Sequence, residues 1–330
     1  MADSNIQGKA ILVTGGTGSF GTRFLRTVLS EHEPAAVRIY SRDELKQYNL
    51  QRELDGDERV RFLIGDVRDV ERLKMAMRGV DIVIHAAALK QVPACEYNPF
   101  EAVKTNIHGA ENVVAAAIAN DVPCTLALST DKAVNPVNLY GATKLAAEKI
   151  ITQGNAYAGS SPARFATMRY GNVVGSRGSV IPLFKAQAQG GELTITDEEM
   201  TRFWITLDQA VEFVITCIGL MQGGEIFVPR IPSMRVRDIA DAIAPNATRR
   251  IIGIRPGEKI HEVLITEDES RHARMLADRY VIYPPFPFWP AKVLVGEELR
   301  PGFRYSSDNN TEWLGAEEIR SMAELVPAVT

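Results

Sequence analysis

Residues 10–21 read Ala-Ile-Leu-Val-Thr-Gly-Gly-Thr-Gly-Ser-Phe-Gly, and no other stretch of this chain restricts its fold as much. The first five residues are a short apolar run of buried-strand type. Thr22 to Leu29 then places Phe24, Leu25 and Val28 at helical spacing. Between them, Gly16, Gly18 and Gly21 satisfy G-x-G-x-x-G, and Gly15, Gly18 and Gly21 satisfy G-x-x-G-x-x-G. Glycine permits positive φ in such a turn and lets the backbone approach a pyrophosphate. The helix N-terminus then faces the phosphates with free N–H groups. Strand, glycine turn and helix together give a weak motif the context of a dinucleotide site. Gly15, Thr17, Gly18, Ser19, Phe20 and Gly21 are its expected contacts.

The α/β rhythm continues. Val37 to Tyr40 reads as a second strand, ending in Ser41-Arg42-Asp43. An NAD site commonly has an acidic residue at this strand end, whereas the fork of Arg42 suits a 2′-phosphate. Ser41 and Arg42 therefore point to NADP, although Asp43 also could hold a ribose. Val60 to Ile64 is a strand that delivers Asp66 and Val67 towards the adenine. Asp81 to His85 is another. Ala86, Ala87 and Ala88 follow, small enough for a cofactor to lie close, and Lys90 comes next at the strand's carboxyl end, where ligands bind in such sheets. Pro99 to Ala119 is helical in pattern and carries Asn106. Cys124 to Leu128 is the strand that brings Ser129 to Lys132 into the cleft. The expected fold is an α/β, doubly wound parallel sheet over 1–170, with some later segments returning to it. A smaller α/β substrate domain and a tail are expected over 171–330.

Tyr140 and Lys144 are one helical turn apart, so their side chains share a helix face. A lysine ammonium beside a phenol favours the phenolate. Such a tyrosine can take a proton from an alcohol while hydride leaves the same carbon for a nicotinamide. Thr130 could hydrogen-bond the same alcohol. Asp131 and Lys132 add an acid and a base that a plain dehydrogenase does not need. On a strand end, however, neighbouring side chains point to opposite sides.

With a net charge of −4 over 330 residues, nothing suggests nucleic-acid binding. No run of about 20 apolar residues predicts a membrane span. The segment from Met1 to Lys9 is too polar for a signal peptide, and three scattered cysteines fit a reduced, cytoplasmic setting. Neither the cysteines nor the five histidines have the spacing of metal ligands. His85 and His108 read as structural.

Beyond Arg164 to Arg169, a sixth strand, the sequence becomes loop-like. Arg177 could hold a phosphate and Asn172 a sugar or phosphate oxygen. Ile181 to Gln189 reads as a helix, Thr194 to Asp197 as a short strand and Met200 to Ile205 as a connecting segment. Asp208 to Leu220 and Val236 to Ile243 read as helices, and Glu225 to Val228 as a strand. Arg202 and Arg255 are further diphosphate candidates. Tyr283 to Pro290 cannot be a regular helix and is expected to pack across the surface or into a partner subunit. A last helix is expected near Ala316 to Leu325.

The glycine turn, Asp66-Val67, Asn106 and the Tyr140–Lys144 pair resemble the extended short-chain dehydrogenase/reductase family. Within it, the chain is similar to the inverting UDP-N-acetylglucosamine 4,6-dehydratases. The strings that carry this are 40–47, 88–93, 129–133, 200–208, 224–229, 254–259 and 306–313. The resemblance implies a Rossmann-type fold, NADP with Lys46, Lys90 and Asn106 among its contacts, and a homo-oligomer. It also implies UDP-N-acetylglucosamine as substrate, met by Lys90, Asn172, Arg177, Thr194, Arg202, Arg255 and Glu258, at the start of pseudaminic acid synthesis for flagellin. In such a reaction C4 is oxidised, the C5 proton removed, the C6 hydroxyl expelled and hydride returned to C6. Tyr140 with Lys144 would serve the oxidation. Lys132 is the candidate base, needing a lowered pKa, and Asp131 the candidate acid, needing a raised one. A retaining dehydratase, a 4-epimerase and a non-catalytic NADP-sensing module remain alternatives.

Overall fold

The computed structural model describes residues 5–175, 180–286, 288–289 and 294–326. Arg177 lies outside them. Six parallel strands form the expected sheet: β1 (Ala10–Thr14), β2 (Ala36–Ser41), β3 (Val60–Ile64), β4 (Ile82–His85), β5 (Cys124–Leu128) and β6 (Arg164–Met168). Their spatial order is β3-β2-β1-β4-β5-β6. The chain reverses direction across the sheet between β1 and β4, which opens a crevice at the strands' carboxyl ends. The strand Ile226–Pro229 extends the sheet in parallel beyond β6, and Arg279–Ile282 adds antiparallel to it. Ala273–Met275 and Glu297–Glu298 complete that edge.

Helices cover both faces. They are α1 (Ser19–Glu31), α2 (Glu44–Glu53), α3 (Val70–Ala76), α4 (Val92–Tyr97), α5 (Pro99–Ala102), α6 (Gly109–Ala119) and α7 (Leu139–Tyr157). β1 shows why the layers form. Ile11 and Val13 join one buried cluster with Phe24, Leu25 and Val28 of α1. Leu12 joins the opposite cluster with residues of α3, α6 and α7. Alternate side chains of one strand thus feed two cores, as a doubly covered sheet requires. Each large side chain buried this way stabilises the fold by about 1.5–3 kcal/mol. A third cluster, with Ile181, Phe184, Leu193, Trp204, Ile239 and Ile319, forms the core of the smaller C-terminal part.

Three local expectations need correcting. The helix over 99–119 is interrupted, because Val103–His108 is a π-turn between α5 and α6. Its wide turn buries Thr105 and Asn106, and Asn106 is held there by three hydrogen bonds to Leu89 and Thr143. The expected connecting segment at 200–205 contains a strand, Thr201–Ile205, paired with Ser233–Arg235 and with Asn172–Val173. Thr130 to Ala133 does not continue the strand: Asp131–Ala133 forms a 3-10 turn after β5. Of the proline-rich segment, Phe286 and Phe288 are exposed, and the Trp289 indole donates to Gly223 O at 3.3 Å.

Candidate active site

The crevice is a cavity of about 830 Å³. At one end the glycine turn forms its floor. Gly15 has φ +67°, and a Cβ there would stand 2.9 Å from the backbone of Ala87. A Cβ on Gly21 would stand 2.5 Å from the backbone of Gly16. Strand, turn and helix can pack this closely only without side chains. Gly18 caps α1 with no side-chain bond, which leaves the first N–H groups of the helix facing the cavity. Thr17, Ser19, Phe20, Ser41, Arg42, Lys46, Asp66, Val67, Ala86, Ala87 and Lys90 line the same space. A backbone cradle of this shape fits a dinucleotide.

The two acids near Arg42 are already engaged. Asp43 accepts from the Lys46 N–H at the start of α2 and pairs with the Lys46 ammonium. Asp66 accepts from the Arg68 guanidinium at 2.7 Å, with Arg42 at 3.7 Å. Burial works against the Asp66 charge, but Arg68 and Arg42 outweigh it and hold this carboxyl below its usual range. Asn106 lies behind the wall, its amide spent on Leu89 and Thr143. It orders the loop after β4 and does not face the cavity.

At the other end, Thr130, Lys132, Tyr140, Lys144, Tyr170 and Asn172 line the cavity. Asn138 caps α7 through the Gly141 N–H at 2.7 Å, which aims the first turn of that helix. A Cβ on Gly141 would stand 2.2 Å from Lys132 O, so α7 rests directly on the 3-10 turn. Burial pushes the Tyr140 phenol up to about 12; Lys132 and the Thr130 hydroxyl act against that rise. The cation that favours a Tyr140 phenolate in this structure is thus Lys132, where the pattern pointed to Lys144. Lys144 donates to Leu128 O at 2.7 Å and is pushed down to about 8 by burial.

Asp131 and Lys132 converge, because the 3-10 turn replaces strand alternation: Lys132 Nζ stands 3.1 Å from Asp131 Oδ1. Asp131 is fully buried, its Oδ1 also accepting from the Thr130 hydroxyl at 2.8 Å. Its Oδ2 has no hydrogen-bond partner among the described residues. Burial raises its pKa, as the acid role requires. Lys132 moves the other way from the expectation. Burial disfavours its charge, but Asp131 and Glu262 outweigh that and hold its proton.

Glu262 did not figure in the sequence argument. It is buried, 3.5 Å from Lys132 Nζ and 3.4 Å from Lys259 Nζ. Lys259 also donates to Val134 O at 2.6 Å, and Asn138 donates to Gly257 O at 2.7 Å. The segment 257–262 is thereby bolted to the end of the 3-10 turn and the start of α7. The one available signal was its adjacency to the 254–259 string. Tyr170 was also missed as a lining residue; burial raises its pKa, so its phenol keeps its proton.

Four expected substrate contacts lie off the cavity. The Thr194 hydroxyl accepts from Gln187 in a small two-stranded sheet. Arg202 donates to Thr201 O and Ile260 O. Arg255 and Glu258 stand 3.8 Å apart on an outer loop. His85 is structural, bonded to Thr14 and pushed down to about 3 by burial.

Comparison with known proteins adds to this geometry. The profile of the polysaccharide biosynthesis protein family matches residues 11–284. A UDP-N-acetylglucosamine 4,6-dehydratase (inverting) of Campylobacter jejuni subsp. jejuni serotype O:23/36 (strain 81-176) is 52% identical over 322 residues, 94% of this chain and 96% of the relative. A UDP-glucose 4-epimerase of Rickettsia canadensis (strain McKiel) is 43% identical over 282 residues, 83% of this chain and 82% of the relative. The X-ray structure of Pen from Bacillus thuringiensis superposes with a TM-score of 0.89 at 40% identity, covering 98% of this chain and 99% of that one. Among the described residues, no helix is long and apolar enough to cross a membrane.

Proposed function

The chain belongs to the polysaccharide biosynthesis protein family and to the short-chain dehydrogenases/reductases, and from that premise we propose that it is an inverting UDP-N-acetylglucosamine 4,6-dehydratase that retains NADP. One observation carries this reading: a buried proton-transfer cluster, Lys132 with Asp131 and Glu262, adjoins the redox residues Thr130 and Tyr140 in one cavity. Oxidation alone needs only the redox residues. Arg42, about half exposed at the cavity wall, with Asp43 held by Lys46 and Asp66 held mainly by Arg68, supports NADP.

When bound, the nicotinamide supplies the acceptor for the C4 hydride and gives it back to C6. Tyr140 takes the C4 hydroxyl proton in its phenolate form, which Lys132 and the Thr130 hydroxyl favour against burial. The resulting ketone makes the C5 proton acidic. Lys132 Nζ is the atom of the cluster that faces the cavity, while Asp131 lies behind it. Asp131 therefore serves through Lys132: Oδ1 receives the ammonium proton, and the burial of Asp131 favours its neutral form. Neutral Lys132 then takes the C5 proton and passes it to the departing C6 hydroxyl, which leaves as water. A proton from solvent water enters C5 on the opposite face, and Tyr140 returns to solvent the proton it collected. Water is the net loss, with no net redox. We propose, on the resemblance of the sequence alone, that this is a first step towards pseudaminic acid.

The similarity to a 4-epimerase gives a second reading, in which hydride returns to C4. One experiment separates the two. The purified protein is incubated with UDP-N-acetylglucosamine in deuterated water and the products are followed by mass spectrometry and proton NMR. Loss of water, one deuterium at C5 and inverted C5 configuration are expected. An isomer of unchanged heavy-atom composition would establish the epimerase and sink the dehydratase.

A further inference from the structure

Four charged side chains from three separate segments act on one another at the cavity wall, which Lys132 lines. Asp131 and Lys132 come from the turn after β5, Arg202 from the strand Thr201–Ile205, and Glu262 from the segment ahead of the strand Val263–Ile265. Lys259 joins from the same segment as Glu262. We propose that Glu262 is a positioning residue for the elimination half of the reaction: anchored by Lys259, it fixes the Lys132 ammonium between two carboxyl groups and sets how strongly that nitrogen holds a proton. This inference rests on the dehydratase reading for its catalytic meaning, though not for its geometry.

The placement supports a built arrangement. Glu262 is nearly dry, with a side-chain exposure of 3%. A carboxylate is not buried at such depth without compensation, and Lys132, Lys259 and Arg202 supply it, keeping Glu262 ionised against the cost of burial. Its backbone is fixed too: the Glu262 N–H donates to the Ser307 hydroxyl at 2.9 Å, which stands 2.6 Å from Thr201 Oγ1. His261 beside it is turned to the same Thr201 hydroxyl. The groups that face Lys132 are therefore Asp131, Glu262, Arg202 and the Tyr140 phenol.

The chemical consequence is base strength. Removing a proton from carbon beside a ketone favours a base of high proton affinity. A lysine flanked by one carboxyl has a proton acceptor; a second, permanently charged carboxylate makes the nitrogen more basic and pins its position. Glu262 never touches the sugar and acts only through Lys132.

The test uses the full-length holoenzyme labelled with [15N]lysine, with the Lys132 resonance assigned by its loss in Lys132→Ala. In the native protein, Lys132 is expected to stay protonated after ordinary lysines have titrated near pH ~10.4. Glu262→Gln is expected to bring its midpoint down by about one pH unit or more, and Glu262→Asp to restore it. With UDP-N-acetylglucosamine, the rise of kcat with pH should reach its plateau at correspondingly lower pH in Glu262→Gln, with KM within about threefold of native. A Lys132 that titrates with the other lysines in the native protein overturns the proposal, even if Glu262→Gln fails to fold. So does a midpoint unmoved in a folded Glu262→Gln. If the titration behaves as expected but the native enzyme eliminates no water, the dehydratase reading fails and the Glu262 assignment stands.

Discussion

The two ends of the cavity are built from different materials. The nucleotide end is made of backbone: a glycine turn, a helix N-terminus and the alanines after β4, drawn mostly from residues 15–21 and 86–88. The elimination end is made of charged side chains taken out of water, with Lys132 meeting a carboxylate 130 positions further along (262 − 132). A backbone cradle works by the absence of side chains, so most neighbours of the turn can change without altering it. A buried charge cluster works by mutual compensation, so each member is needed by the others. One end is robust and general, the other specific and fragile.

Three substitutions would break or sharpen that contrast. The largest effect is expected for Lys132→Ala. Removing the group that exchanges protons with the sugar should slow deuterium entry at C5 by about 10²–10⁴-fold, while NADP affinity stays within about twofold. A parallel loss of NADP affinity would show that the two ends are not independent. Next comes Arg169→Met. This fully buried arginine pairs with Glu148 and Glu269, each at 2.6 Å, directly behind Ser129. Its removal strands two carboxylates and should cost about 3–5 kcal/mol in denaturant unfolding; a loss under about 1 kcal/mol would refute the claim that buried charges here depend on one another. The smallest effect is expected at the cradle. Arg42 is about half exposed, and Arg42→Ala should weaken NADP binding by about 1–2 kcal/mol while leaving NAD unchanged, measured by calorimetry. Equal weakening of both cofactors would remove the 2′-phosphate argument.

The same contrast explains what could be read from the residues alone. β1, the glycine turn and α1 are local, and their periodicity and turn chemistry are visible in the twenty consecutive residues from Ala10 to Leu29. The Tyr140–Lys144 face was equally legible because a helix fixes four-residue spacing. Its electrostatics were not, since burial of the phenol and the charges of Lys132 and Asp131 act through space. Strand alternation also misjudged Asp131 and Lys132, because the change to a 3-10 turn is set by packing against Gly141 and Lys259. Short strands such as Arg279–Ile282 escaped notice for a related reason: their partner strands, not their own composition, hold them extended. Asn106 stood in the expected helix, but the π-turn that points its amide at Leu89 leaves no periodic trace.

The distance along the chain between Lys144 and Glu262 also has a meaning in time. At about 5–20 residues per second, the 118 residues between them (262 − 144) take roughly 6–24 s to synthesise. During that interval a nascent chain already holds the glycine cradle, Thr130, Tyr140 and Lys144. Lys132 then has Asp131 beside it but not yet Glu262. The pairing of Lys132 with Glu262 is thus among the last contacts of the cavity that synthesis makes possible.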